Sequence, residues 1–128
     1  MYSFQFDKSI DSEYLSAMYE NDYKYIEQIF NIALSTFSDE ITTADEKLLS
    51  EDIEGIRRAI HKIKSSVGFI GMVELQENCQ RLEEKCSVAR SFNEVKPDLE
   101  NLLKRISVHK NILKNEAARL KRFNSLAL

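Results

Sequence analysis

The sequence is poor in the residues that interrupt regular secondary structure. Its 128 residues include three glycines, one proline and no tryptophan. Because glycine and proline mark most tight turns, this composition argues against a turn-rich β architecture. No run of eighteen apolar residues occurs, so no transmembrane helix is predicted. Met1 is followed by neither a basic segment nor the apolar run of a secretory signal, so we expect a cytoplasmic protein with no membrane partner.

Cysteine is also scarce, with two residues, Cys79 and Cys86, seven positions apart in a predicted helix. Two helical turns place their Cα atoms roughly 10 Å apart, which is too far for an undistorted disulfide. We therefore expect free, reduced thiols in the core. Neither C-x-x-C nor H-x-x-x-H spacing occurs, so the sequence predicts no metal site and no cofactor of its own.

Charge is abundant and unevenly distributed along the chain. The net charge is only −3, yet residues 1–54 carry 13 acids and 3 bases, whereas residues 55–128 carry 8 acids and 15 bases. Such asymmetry can mark a partner surface, or it can reflect solvated helix faces. The bases near the C-terminus lack interleaved aromatic residues, so we expect no nucleic-acid binding.

Apolar residues recur at helical spacing along most of the chain, which predicts an all-α protein. The predicted helices occupy about residues 9–19, 26–41, 50–68, 72–89 and 97–120. We expect Ser9 or Asp11 to cap the first helix, Ser50 to begin the third, and Pro97 to lie in the first turn of the fifth. The pattern favours an antiparallel up-down four-helix bundle with an additional short N-terminal helix. One domain would span residues 1–128, with the core bundle at about residues 22–122.

The third predicted helix places a histidine beside an apolar seam. The seam alternates spacings of three and four residues and consists of Ile53, Ile56, Ile60, Ile63, Val67 and Ile70. His61, Lys64, Ser65 and Gly68 share the adjacent face, since residues three, four and seven apart lie on one side of a helix. We therefore expect the imidazole to reach water at the rim of a packed face.

The returning helix supplies a partner for this histidine. In an antiparallel hairpin centred near Gly71 or Met72, residues whose numbers sum to about 144 lie level, which places Glu83 opposite His61. A carboxylate beside an imidazole can accept its Nδ1–H and leave Nε2 as an outward nucleophile. Lys64 could pair with a dianionic group attached to that nitrogen.

Two arginines and two small residues flank the histidine in this pattern. Arg57 and Arg58 add positive potential, which should attract a phosphorylated or acidic partner. Ser65 and Gly68 lack bulk, which would let a partner loop or a phosphoryl group approach His61 closely. The second histidine of the chain, His109, lies near the apolar seam of the last helix, where we expect a structural role.

Residues Arg57 to Cys86 closely resemble the signature of histidine-containing phosphotransfer (HPt) domains. The family pattern runs H-x-L-K-G-S, places a glycine ten residues after the histidine, and continues in the next helix with L-x-x-x-C-x-x-L-E/Q. The matching positions are His61, Lys64, Ser66, Gly71, Leu75, Cys79, Leu82 and Glu83. The chain departs from the pattern at two positions, where Ile63 replaces the usual leucine and Ser65 replaces the usual glycine.

This resemblance implies a phosphorelay intermediate and not an enzyme in its own right. His61 would accept a phosphoryl group from the phospho-aspartate of one receiver domain and pass it to another. Lys64 would stabilise that group and Glu83 would orient the imidazole. The implied partners are response-regulator receiver domains and a hybrid histidine kinase, and Mg²⁺ would belong to the receiver. The sequence has no glycine-rich loop for ATP, so self-phosphorylation from ATP is not expected.

The resemblance also implies surfaces for the partner and leaves alternatives open. Ser65, Ser66 and Gly68 are the candidates for phosphoryl or partner access, together with Arg57 and Arg58. The candidates for an apolar patch that receives the first helix of the receiver are Leu15, Met18 and Phe69. Because Ser65 departs from the pattern, a non-phosphorylated adaptor or docking module is the alternative function. We expect a monomer, although the long last helix could pair with another copy.

Overall fold

The computed structural model describes residues 3–126, and within that range the chain forms helices and no strand. The elements are α1 (Ser12–Tyr19), α2 (Tyr23–Leu49), α3 (Ile53–Phe69), α4 (Val73–Val88), a 3-10 turn (Phe92–Glu94) and α5 (Lys96–Leu126). The prediction of an all-α bundle with a short extra N-terminal helix is confirmed. The domain limits given above stay a prediction.

Aspartates cap the first three helices, which selects one of the two predicted caps of the first helix and corrects the predicted start of the third. Asp11, rather than Ser9, accepts the Tyr14 N–H at the start of α1. The third helix begins after Asp52, whose carboxylate accepts the N–H of Gly55 at 2.9 Å. Ser50 instead ends α2, because the chain turns through a left-handed residue, Glu51, between the two helices.

The apolar seam of α3 is the centre of the core. Five of its six predicted members are fully buried, namely Ile56, Ile60, Ile63, Val67 and Ile70. They pack between α2 and α4, while α5 packs mainly along α2. Burying one such side chain contributes about 1.5–3 kcal/mol to folding, so the backbone that carries His61 is held firmly on both sides.

Both cysteines are free and buried in the core, as predicted. Burial raises the pKa of the Cys79 thiol to about 12, which keeps it protonated and unreactive at neutral pH. Within residues 3–126, no helix combines the length and apolar composition needed to cross a bilayer.

The turn between α3 and α4 depends on Gly71. Its φ is +77°, and the N–H of Met72 donates to the carbonyl of Val67 at 3.1 Å, as in a Schellman motif. A Cβ at position 71 would lie 2.9 Å from Cγ of Leu15, which packs on this turn. Glycine is therefore required both by the backbone conformation and by the neighbouring helix α1.

We expect Gly71→Ala to destabilise the protein by roughly 2 kcal/mol or more, since the left-handed conformation alone costs a non-glycine residue about 1–2 kcal/mol and Leu15 must also move. The urea midpoint of unfolding measures this loss. As a control, Asn21→Gly places glycine at an exposed residue whose φ is +57° and should change the midpoint little. An unchanged midpoint for Gly71→Ala would contradict this explanation of the turn.

Candidate functional site

His61 lies on α3 at the rim between the core and solvent. Its side chain is 58% exposed, while Ile60 and Ile63 on either side are fully buried. The ring nitrogen Nδ1 lies 2.7 Å from Oε1 of Glu83 on α4, as the antiparallel hairpin predicted. Because an ionised carboxylate can only accept, Nδ1 carries a proton in this contact, and in the neutral ring the lone pair is then on Nε2.

Glu83 is the carboxylate around which the site is built. Its side chain is only 13% exposed, and its second oxygen accepts the Lys64 ammonium at 2.8 Å. Burial opposes ionisation of Glu83, but the hydrogen bonds from Lys64 and His61 outweigh it and hold the pKa of this carboxyl below its usual value. Glu83 is therefore ionised at neutral pH and can orient the imidazole.

Lys64 is more enclosed than the sequence suggested. Its side chain is 19% exposed, and its Nζ donates both to Glu83 and to Oε1 of Gln80 at 2.7 Å. An ammonium has three hydrogens to donate, so one remains for a group attached to His61. Gln80 was not among the predicted site residues, although its number and that of Lys64 sum to the value that also pairs His61 with Glu83.

The two arginines have different surroundings. Arg57 donates to Glu54 at 3.0 Å, and its Nη1 lies 4.0 Å from Glu83. Arg58 is paired with Glu54 at 3.4 Å and faces a cleft of about 410 Å³ between α2 and α3. The acid Glu54 thus offsets part of the positive potential expected here, and of the two arginines Arg57 is the one near the imidazole's carboxylate.

The structure separates the three small residues proposed for phosphoryl access. Ser65 is exposed one turn from His61, and its hydroxyl is 3.4 Å from the His61 carbonyl, to which it donates. Ser66 points to α2 instead, where its hydroxyl donates to Glu40 at 2.8 Å. Ser66 therefore links two helices, and its part in phosphoryl or partner access stays a prediction.

Gly68, by contrast, is covered by the neighbouring helix α4 and does not provide the predicted access to solvent. This glycine is buried, and a Cβ placed on it would lie 2.4 Å from Nε2 of Gln76. The side chain of Gln76 on α4 covers this position. The small size of Gly68 therefore serves helix packing, and the residue leaves no opening toward solvent. The level-pairing rule of the hairpin also predicts this neighbour, but it was not applied to Gly68.

Two of the three residues predicted to form an apolar patch are exposed. Met18 and Phe69 are exposed as proposed, but Leu15 is fully buried beneath α1 and belongs to the core. Beside Phe69, a groove of about 320 Å³ runs between α2 and α3; we call it the apolar groove. Its lining residues are Ile29, Ile32, Ala33, Thr36, Ser66 and Phe69. Phe69 follows His61 by eight residues, or about 12 Å along α3.

The second histidine lies apart from this site. His109 on α5 uses Nδ1 to contact the carbonyl of Arg105, one turn back, at 2.8 Å. It has no carboxylate partner comparable to Glu83 among residues 3–126. In the same range, no group of three or more potential metal-binding side chains comes together.

Comparison with known proteins gives a family and a fold. A family model described as the Hpt domain matches residues 28–122. The crystal structure of the HPT domain from an Hpt sensor hybrid histidine kinase of Shewanella is similar, with a TM-score of 0.67 and 14% sequence identity. The similarity covers 92% of this chain and 95% of that one. A search of curated proteins found no match.

Proposed function

Because the chain belongs to the HPt domain family, we propose that it carries a phosphoryl group on Nε2 of His61 between the receiver domains of a phosphorelay. The family role is phosphotransfer in two-component signalling, with receiver domains and histidine kinases as partners. HPt domains are phosphocarrier modules without kinase activity of their own. The observation that carries the assignment to His61 is its exposed ring, hydrogen-bonded through Nδ1 to the ionised Glu83.

The proposed reaction follows from the arrangement of these groups. The Nε2 lone pair attacks the phosphorus of the receiver's phospho-aspartate, an N–P bond forms, and the aspartate carboxylate leaves with the P–O bond electrons. The Nδ1–H stays on the ring, and its bond to Glu83 stabilises the positive charge that develops there. Attack by the aspartate of a second receiver on phosphohistidine reverses these steps and releases neutral His61.

Lys64 is proposed to bind the phosphoryl group from beside the imidazole. Its ammonium is held by Glu83 and Gln80, and its third hydrogen is available to a phosphoryl oxygen. Mg²⁺ is expected on the receiver, and the carboxylate beside His61, Glu83, accepts from both Lys64 and His61.

The apolar groove is the proposed docking surface for the first helix of the receiver. It is formed by α2 and α3, and its exposed lining residues include Ile32 and Phe69. An apolar helix face would bury these side chains, and the positive groups near His61 would face the phosphorylated aspartate. Docking in this way would bring Nε2 of His61 close to the phosphorylated aspartate of the receiver.

The proposal is tested by incubating the protein with a panel of phosphorylated receiver domains. We expect uptake of label that is labile in acid and stable in alkali, as for a phosphoramidate. A protein that binds receivers but takes up no phosphoryl group from any of them would instead be the non-phosphorylated adaptor. Ser65, which stands where the family pattern has glycine, would then be the first residue to replace.

Lys64→Ala should slow phosphotransfer about tenfold, since one charge-assisted hydrogen bond contributes roughly 1.5 kcal/mol. Because Lys64 is a partly buried rim residue outside the apolar core, the fold should persist. The transfer rate at saturating receiver and the circular dichroism spectrum measure the two effects. Lys62→Ala, an exposed lysine two residues away, is the matched control. Loss of helical content in the Lys64 variant would mean that the residue is structural.

A further inference from the structure

An aromatic cluster packs the N-terminal segment against one end of the bundle. Residues 3–11, which we call the N-terminal strap, contain Phe4, whose ring lies 5.5 Å from that of Phe123 near the end of α5. The cluster includes Phe4, Phe6, Tyr23, Phe30 and Phe123. The strap therefore rests on the end of the bundle where α2 begins and α5 ends.

An ion pair on α5, between a buried carboxylate and a half-exposed guanidinium, fastens the strap. The carboxylate of Glu116, a residue only 4% exposed, accepts the N–H of Asp7 at 3.1 Å and also accepts from Arg119. The same guanidinium donates to the carbonyl of Gln5 at 3.0 Å and stacks 4.7 Å from the ring centre of Phe4. A buried charge must be paired to be tolerated, so the Glu116 carboxylate depends on the guanidinium of Arg119.

The strap leads directly into α1, which stands beside the apolar groove. The N–H of Asp11, the cap of α1, donates to the carbonyl of Gly71 at 2.8 Å. At the other end of α1, the Tyr19 hydroxyl donates to the carbonyl of Phe69 at 2.8 Å, and its ring lies 5.6 Å from that of Tyr25. The position of α1 is thus set at one end by the strap and at the other by contacts with Phe69.

These segments precede the part of the chain that the family model matches. The match begins at residue 28, after the strap, α1 and the first turn of α2. Yet this segment supplies Tyr19, whose hydroxyl is bonded to the carbonyl of Phe69, a lining residue of the apolar groove. It also supplies the exposed side chains of Tyr25, whose ring lies beside that of Tyr19, and of Met18, the residue before Tyr19. Residues outside the matched domain therefore contact the proposed docking surface.

We propose that Glu116 and Arg119 are positioning residues for receiver docking. By holding the strap, the pair fixes the position of α1 against Phe69, a lining residue of the apolar groove, and so sets the affinity for the receiver domain. This inference rests on the proposed function, and it adds a determinant that lies on a different helix from the histidine and touches neither the phosphoryl group nor the partner.

The test uses the double variant Glu116→Gln with Arg119→Met, which removes both charges together and avoids an unpaired buried carboxylate. We expect the half-saturating receiver concentration to rise about threefold to tenfold, in the range of a lost peripheral contact. The maximal transfer rate should stay within about twofold, and so should labelling of His61 by phosphoramidate, a small donor that needs no docking. Arg122→Met, an exposed arginine one turn farther along α5, is the matched control.

Several outcomes would overturn the inference. One is an unchanged half-saturating receiver concentration in the double variant when rapid exchange of the strap amides with solvent shows that the strap has been released. Another is an equal loss of labelling by phosphoramidate, which would indicate general damage to the bundle. If the double variant does not fold, Met18→Ser decides the question, because this exposed side chain can be changed without disturbing the core, and unaltered receiver affinity would contradict the role of α1. A wild-type protein that accepts label from phosphoramidate but from no receiver would instead contradict the proposed function.

Discussion

His61→Gln is expected to abolish phosphoryl uptake from a phosphorylated receiver. The glutamine amide can still contact Glu83, but it has no nucleophilic nitrogen to form an N–P bond. The fold should be unaffected, because the histidine side chain is more than half exposed and its neighbours on α3 carry the core packing. Acid-labile, alkali-stable label on the chain measures uptake, and a thermal melt checks the fold.

His109→Gln provides the matched control for this experiment. It removes the other histidine of the chain, whose ring contacts a backbone carbonyl and has no carboxylate partner in the described part of the chain. Uptake by this variant should equal that of the wild type. Label that persists in His61→Gln, or that disappears in His109→Gln, would show that the acceptor has been assigned to the wrong residue.

Glu83→Gln should slow phosphotransfer by about 10–100-fold, the loss typical when a carboxylate that orients a functional histidine is removed. The amide has nearly the same shape but no charge, so it stabilises the developing imidazolium character less. It also leaves the partly buried Lys64 without its counter-charge. The transfer rate at saturating receiver measures the effect, and Glu77→Gln, an exposed acid on the same helix, is the control.

The pH dependence of stability gives a second measurement on the same variant. The pKa of Glu83 is lowered in the folded protein, so its pairing contributes stability above the unfolded value of about 4.3 and loses it as the pH falls through the folded value. The wild type should therefore be more stable than Glu83→Gln at neutral pH, and the difference should disappear in acid. If Glu83→Gln transfers the phosphoryl group at the wild-type rate while the stability difference shows this pH dependence, Glu83 is purely structural.

The residues of the site differ in how far the sequence could place them. His61 and Glu83 were paired correctly because the periodicity of two amphipathic helices and a short turn at Gly71 leave one antiparallel register. Gln80 follows from the same register and was overlooked. The reduced positive potential could also have been foreseen, since Glu54 precedes Arg57 by three residues and Arg58 by four, the spacings of helical ion pairs.

Other assignments depended on which helix covers a given face. Ser66 and Gly68 have the right spacing for an open surface, but Glu40 on α2 and Gln76 on α4 occupy that space. Leu15 was a candidate for the apolar patch, yet α1 folds onto the turn at Gly71 and buries it. Helical periodicity identifies a face, and only the neighbouring helix decides whether that face is free.

The sequence by itself determined the helices, the apolar seam of α3 and the pairing of His61 with Glu83, because these follow from spacing within one helix and across one short turn. The tertiary structure alone decided which small residues are exposed and how the N-terminal strap is fastened. Asp7 and Glu116 are 109 residues apart, and their contact forms when the packing of α2 against α5 brings the two ends of the chain together. Such contacts arise from the combined shapes of distant side chains, and local spacing carries no record of them.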